Sequence, residues 1–164
     1  MMKILETLLK VKIGIVFFSI FFAGPTPLLL GNNDTVLIKS CIKQMFEGMA
    51  AFDSSMVHRS FADGFLLRSV IKSKDGTIIV REESGDSFLK IIGTKKPGVR
   101  YAERLLSYTI LIDGDMAIVW TPYHFYLTDI FSHCGVNAFT MVKLPEGWKI
   151  LSITDTRRKG DCAE

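Results

Sequence analysis

The sequence predicts one small α+β domain with a strongly bent antiparallel sheet, preceded by a targeting segment. Three observations carry this reading. Apolar residues recur every three or four positions up to about residue 60, and every second position after Gly64. Turn signals at Lys74-Asp75-Gly76, Asp113-Gly114 and Pro145-Glu146-Gly147 divide the alternating stretch into strands. Helical patterns gather toward the start and long strands toward the end, an order that suits α+β rather than alternating βαβ units.

The first helix is expected to begin at Asn32, Asn33 or Asp34, all good N-cap residues, and to carry Ile38, Cys41, Ile42, Met45, Phe46, Met49 and Phe52 on its apolar face. Gly48 lies within it, either for close packing or simply tolerated. Asp53 caps a second, short helix reaching about Ser60. Strands are expected over residues 65–72 and 77–81, then a helix over 82–93 and a solvated loop at Lys95-Lys96-Pro97-Gly98. Four long strands follow, over residues 101–112, 115–127, 132–144 and 148–156. There is no internal repeat and no low-complexity tract.

Residues 1–31 read as a signal peptide or membrane-targeting segment. Lys3, Lys10 and Lys12 precede an apolar run from Ile13 to Ala23. Phe21 and Phe22 make a poor cleavage site beside Ala23 and Gly24, so an uncleaved membrane anchor is the alternative to export into the periplasm or medium. Pro25 and Pro27 interrupt any longer spanning helix. Residues 32–164 form the domain. Of 164 residues, 48% are apolar, enough for a packed core. The net charge of +3 falls to +1 without residues 1–23, which hold Lys3, Lys10, Lys12 and Glu6. That balance argues against a nucleic-acid partner.

Export implies an oxidising compartment and shapes the reading of the three cysteines. Cys41 falls on a helix face as a buried free thiol. No spacing suits a metal site, and no cofactor motif is present. Pairing Leu144 with Trp148 sets Cys134 opposite Arg158, four residues before Cys162, with Gly160 free to turn between them. A Cys134–Cys162 disulfide is therefore expected. The alternative is a buried apolar Cys134 and a free terminal thiol.

Strand pairing also assigns faces to the sheet. Pairing Ile112 with Asp115, and Leu127 with Ser132 across a four-residue loop, places Thr121, Tyr123, Phe125, Cys134, Val136, Trp148 and Ile150 on the inner face. Trp120, His124, His133, Asn137, Phe139, Met141, Leu151 and Ile153 then lie outside. No Asp or Glu falls on the inner face in this register. The apolar outer set predicts a homodimer through that face. A slip of one residue in the middle loop would exchange the faces over half of the sheet.

Several stretches carry a family likeness: Phe46-Glu47-Gly48-Met49-Ala50, the run Gly114 to Trp120, Ser132 to Phe139, Gly147-Trp148-Lys149-Ile150, and Asp155-Thr156-Arg157-Arg158. Over about residues 33–162 the chain resembles the nuclear transport factor 2-like superfamily, in particular its SnoaL-like and lumazine-binding-like bacterial branch. The resemblance implies a cone: a curved antiparallel sheet of about six strands wrapped around three helices, with a pocket inside and dimerisation through the sheet. It implies no single activity, since isomerases, cyclases, epoxide hydrolases and non-catalytic binding domains share the fold.

Tyr123 and Thr121 are the expected pocket lining, with Arg81, His58 and Glu83 nearer its mouth and His133 as a further candidate. Tyr123 could donate to a developing oxyanion, or line the pocket with its hydroxyl satisfied. Arg81 is suited to an anionic group, or to a solvated rim. His133 and Cys134 cannot serve one another, because adjacent strand residues point to opposite faces. The leading expectation is an exported domain binding a small apolar or aromatic ligand. The alternatives are a small acid–base enzyme and a non-catalytic association module.

Overall fold

Alternation after Gly64 matures into seven strands, and the earlier periodic segments into helices. The computed structural model describes residues 31–94 and 97–164. The targeting segment, but for Gly31, and the Lys95-Lys96 part of the loop lie outside these residues. The element order is α1 (Gly31–Ala51), α2 (Ser54–His58), β1 (Phe61–Lys72), β2 (Ile78–Ser84), α3 (Gly85–Gly93), β3 (Tyr101–Leu105), β4 (Thr109–Asp113), β5 (Met116–Leu127), β6 (Ile130–Leu144) and β7 (Gly147–Arg157). The sheet runs β2-β1-β7-β6-β5-β3, with β4 also paired to β5. It is mixed rather than wholly antiparallel, because β1 lies parallel to β7. Among the described residues no helix is long and apolar enough to cross a membrane.

The helices supply one wall of the core. Ile38, Ile42 and Met45 of α1 are fully buried beside Val57 of α2 and Val119, Phe139, Met141 and Ile150 of the sheet. Gly48 is a contact point: a Cβ there would lie 2.8 Å from the Val57 side chain and 2.9 Å from its backbone nitrogen. Only glycine lets α2 cross so close. Because α1 starts at Gly31, Asp34 sits in its first turn instead of capping it. Its carboxylate accepts hydrogen bonds from Trp148 Nε1 (3.0 Å) and Lys143 Nζ, and so fastens the helix to the β6–β7 hairpin. These two donors hold the Asp34 carboxyl below the usual range.

Three departures from the sequence reading decide which residues face inward. Residues 101–112 are two strands, not one. They break opposite Pro122, which has no N–H for the ladder. Residues 128–131 are not a four-residue loop. Thr128 (φ 50°) and Asp129 (φ 66°) form a two-residue turn between Leu127 and Ile130, the left-handed pair that matches hairpin twist. Arg100 holds that turn, receiving the Thr128 N–H on its carbonyl at 2.8 Å and pairing with Asp129 through its side chain. A bulge follows, and Tyr123 pairs with Gly135 where Val136 was expected. Finally, β7 bulges between Ile150 and Ser152. Pairing of Thr140 with Ser152 agrees with the expectation, whereas Ile150 pairs with Met141, not Val142.

The faces change accordingly. Asn137, Phe139, Met141 and Ile153 are buried on the concave side, while Trp120 (52% exposed) and Leu151 remain outside. The apolar set offered as a dimer surface therefore loses three of its five members, Phe139, Met141 and Ile153, to the core. Helix α3 is shorter than expected because Ser84 caps it by accepting the Ser87 N–H, leaving Glu82 and Glu83 on β2. Ile91 of α3, expected in its buried face, is 45% exposed.

Beyond β7 the chain folds across the convex side. Cys134 and Arg158 exchange backbone hydrogen bonds, and Cys134 and Cys162 are joined by a disulfide with Cα atoms 5.8 Å apart. Cys41 is the free cysteine among the described residues. It is half-buried, donates to Ser60 O, and burial pushes its thiol up to about 11.

Two outcomes are expected from this packing. Phe139→Ala should cost about 3–5 kcal/mol in denaturant unfolding, as a fully buried aromatic does, with no effect attributable to a subunit face. Cys162→Ser should lower stability by about 3 kcal/mol through release of a 28-residue closure, and reductant should bring the parent protein to the same level.

Candidate functional site

Between the helices and the concave face lies a cavity of about 450 Å³, inside the range of about 300–1,000 Å³ typical of small-molecule sites. Met45, Met49, Leu67, Phe88, Ile92 and Ile153 make its apolar part. A chain of rings forms another wall: Tyr101 to Phe125 at 6.1 Å, Phe125 to His133 at 5.0 Å and His133 to Tyr123 at 5.8 Å between centroids.

The polar groups come from one row across the sheet. Arg81 pairs with Ser69, Ser69 with Asp155, Asp155 with Asn137, and Asn137 with Thr121. Cross-strand partners share a face, so all five belong to the concave side. Asp155 is buried and saturated. It accepts from Ser69 Oγ at 2.5 Å, Arg157 Nε at 2.7 Å and Tyr123 Oη at 3.2 Å.

Tyr123 owes its position to Gly135. A Cβ on Gly135 would lie 1.7 Å from the Thr156 carbonyl oxygen, so only glycine allows that carbonyl beneath the Tyr123 ring. The Tyr123 hydroxyl is 3.0 Å from this oxygen and donates to it and to Asp155. Burial, with the charges of Asp155 and Glu103, raises its pKa well above the ordinary value. The hydroxyl is thus a protonated structural donor, already committed, which matches the second of the two expectations for this residue.

Glu103 lies across the cavity on β3. Its Oε1 accepts from Asn137 Nδ2 at 2.6 Å. Burial, reinforced by the negative charge of Asp155, pushes this carboxyl up to about 8; the Asn137 hydrogen bond and Arg157 oppose the rise. His133 faces the cavity, with Nδ1 3.1 Å from Ser132 Oγ. Burial and the neighbouring Arg157 lower its pKa and favour the neutral ring.

The sequence candidates divide. Tyr123, His133, Arg81 and Glu83 line the cavity. Thr121 shares the polar row but is sealed in the core and does not reach it. His58 is exposed at the end of α2 beside a separate shallow hollow with Ser54, Ser55 and Leu89. Arg81 is exposed at the rim and makes no hydrogen bond or ion pair among the described residues; Glu83 accepts from Ser87 instead. Glu103, Asn137 and Asp155 were absent from the candidates. The expectation that no acid faces inward is overturned, because the break in residues 101–112 and the bulge in β7 each reverse the alternation. The available signal was an acid flanked by Tyr101 and Leu105 at alternate positions. Among the described residues no three His, Cys, Asp or Glu side chains converge as metal ligands.

Known structures share this architecture. A nuclear transport factor 2-like protein from Cytophaga hutchinsonii superposes with a TM-score of 0.62 at 14% identity, covering 77% of this chain and 99% of that one. A member of the same superfamily from Salmonella enterica gives 0.62 at 14% identity over 80% and 95% of the two chains. The chain has the nuclear transport factor 2-like fold. A third protein, from Novosphingobium aromaticivorans and described as having a cystatin-like fold, gives 0.60 at 13% identity over 79% and 85%. No family model matches the sequence, and no curated protein matches it. The property shared with these structures is the fold.

Glu103 gives a test through stability. Its folded pKa is raised above the ordinary value of about 4.5, so the folded state holds a proton that the unfolded chain releases. Stability should fall as pH rises from about 4.5 to about 8, at up to about 1.4 kcal/mol per pH unit. Glu103→Gln should flatten that slope in urea unfolding across the same range.

Proposed function

We propose that the chain is an exported small-molecule-binding domain whose pocket takes a compact apolar or aromatic ligand with one polar end. The observation that carries this reading is the cavity itself: apolar side chains and a wall of rings, with the hydrogen-bonded Glu103–Asn137 pair among its polar groups. Flat rings stack on such a wall at ordinary aromatic separations, while a few placed polar groups set orientation. The disulfide and the apolar N-terminal run support export. Trp120, Leu111 and Ile118 on the convex side support a homodimer there.

A second reading, an acid–base enzyme acting on an apolar substrate, is favoured by Glu103. A carboxyl that titrates near neutrality inside a cavity can give and take a proton at working pH. Asp155, held in place by three donors, lies near it.

Binding is tested by fluorescence titration with 2-naphthol. Met49→Trp fills the cavity and should weaken affinity by about tenfold or more with the far-ultraviolet spectrum unchanged; equal affinity in the folded variant would refute the pocket. Catalysis is tested with 2-tetralone in heavy water. The parent protein should accelerate deuterium uptake at the carbon beside the carbonyl, and Glu103→Gln should return it to the buffer rate. An unaccelerated parent removes the enzyme and leaves the binding domain.

A further inference from the structure

Glu103 and Asn137 hold their head groups side by side, and each has one oxygen still without a partner. The Asn137 amide gives one N–H to Glu103 Oε1 at 2.6 Å. No hydrogen bond reaches Asn137 Oδ1 or Glu103 Oε2 among the described residues. Asn137 is only 5% exposed, and both residues line the cavity. The one buried side-chain polar atom lacking a partner among the described residues is Ser60 Oγ, far along the chain, so these two oxygens open onto the cavity and not into packed protein. An amide oxygen left dry in a ligand-filled pocket costs about 1–3 kcal/mol, which makes a partner on the ligand the expected arrangement.

Their chemistry differs. Asn137 Oδ1 can only accept. A proton on Glu103 must sit on Oε2, because Oε1 receives the Asn137 N–H, so Oε2 presents a donor. An acceptor and a donor side by side complement a group with an N–H next to a C=O. The aromatic wall of Tyr101, Phe125 and His133 lies next to this pair, since Glu103 is the cross-strand partner of Phe125 and Phe125 of His133.

Resting on the binding reading above, we propose that the pocket recognises a planar, uncharged ring compound through a cyclic amide edge, its N–H donating to Asn137 Oδ1 and its C=O accepting from Glu103 Oε2. The charges around the pair favour a neutral ligand. From β7, Arg157 and Asp155 compensate one another; from β5, Tyr123 keeps its proton; from β6, His133 tends to the neutral ring; from β1 and β2, Arg68 and Glu82 are paired. Arg81 and Glu83 of β2 also line the cavity, with opposite charges.

Three matched probes test the edge: 2-quinolone, 1-methyl-2-quinolone and naphthalene, titrated into the full domain by calorimetry and fluorescence. The expected order has 2-quinolone about tenfold tighter than its N-methyl derivative, with naphthalene weakest. Glu103→Gln carries both a donor and an acceptor and should preserve the preference; Glu103→Ala should abolish it. As pH rises through about 8, the parent should lose the preference as its carboxyl ionises, and Glu103→Gln should not. Equal affinity for 2-quinolone and its N-methyl derivative overturns the proposed edge while leaving the binding domain intact. Failure of all three probes, naphthalene included, overturns the binding reading itself.

Discussion

The site depends on a one-residue bulge just inside the β5–β6 turn. Thr128 and Asp129 adopt left-handed backbone angles, and Arg100 clamps them from the neighbouring loop. That turn makes Leu127 pair with Ile130 and, after one bulge, Tyr123 with Gly135. Side chains alternate with a period of two, so this one-residue bulge decides the content of the pocket: the turn alone would have set Tyr123 opposite Cys134. With it, His133, Gly135, Asn137 and Phe139 face the helices, and Cys134 turns outward to meet the C-terminal tail. In the other register the cavity would have lost its amide and its imidazole together.

Charge is arranged around that register in two unequal halves. Asp155 is engaged by three donors, one of them the Arg157 guanidinium. Glu103 has one amide, and it lies near a carboxylate that already carries the negative charge. Burial, reinforced by the nearby Asp155, raises the Glu103 carboxyl so that it keeps a proton near neutrality. The two acids thereby differ in use: Asp155 is engaged by three donors, and Glu103 keeps one carboxyl oxygen open to the cavity.

Rigidity comes from elsewhere in the molecule. Asp34 ties the start of α1 to Trp148 and Lys143, Gly48 lets α2 press against that helix, and the Cys134–Cys162 bridge closes the tail over the convex side. None of these contacts uses a polar group of the cavity. The scaffold is held at its ends and on its far side, so the interior can remain open without collapsing.

Much of the molecule was written locally. Periodicity marked the helices, the Asp113-Gly114 turn placed the β4–β5 hairpin, and the acid before the second helix marked its cap. Tyr123 could be named as an inward residue because the β5 strand alternates cleanly from Ala117 to Phe125. Glu103 and Asp155 could not, since each lies beyond an interruption that reverses the alternation: the break facing Pro122 in one case and the bulge near Leu151 in the other. Such interruptions answer to a partner strand and to curvature, not to neighbours in sequence. The chain by itself therefore determined which segments become helix or strand and which general fold they build, through local propensity and spacing. Tertiary structure alone decided which polar side chains meet inside, because register is a relation between strands and a shift of one residue exchanges the faces.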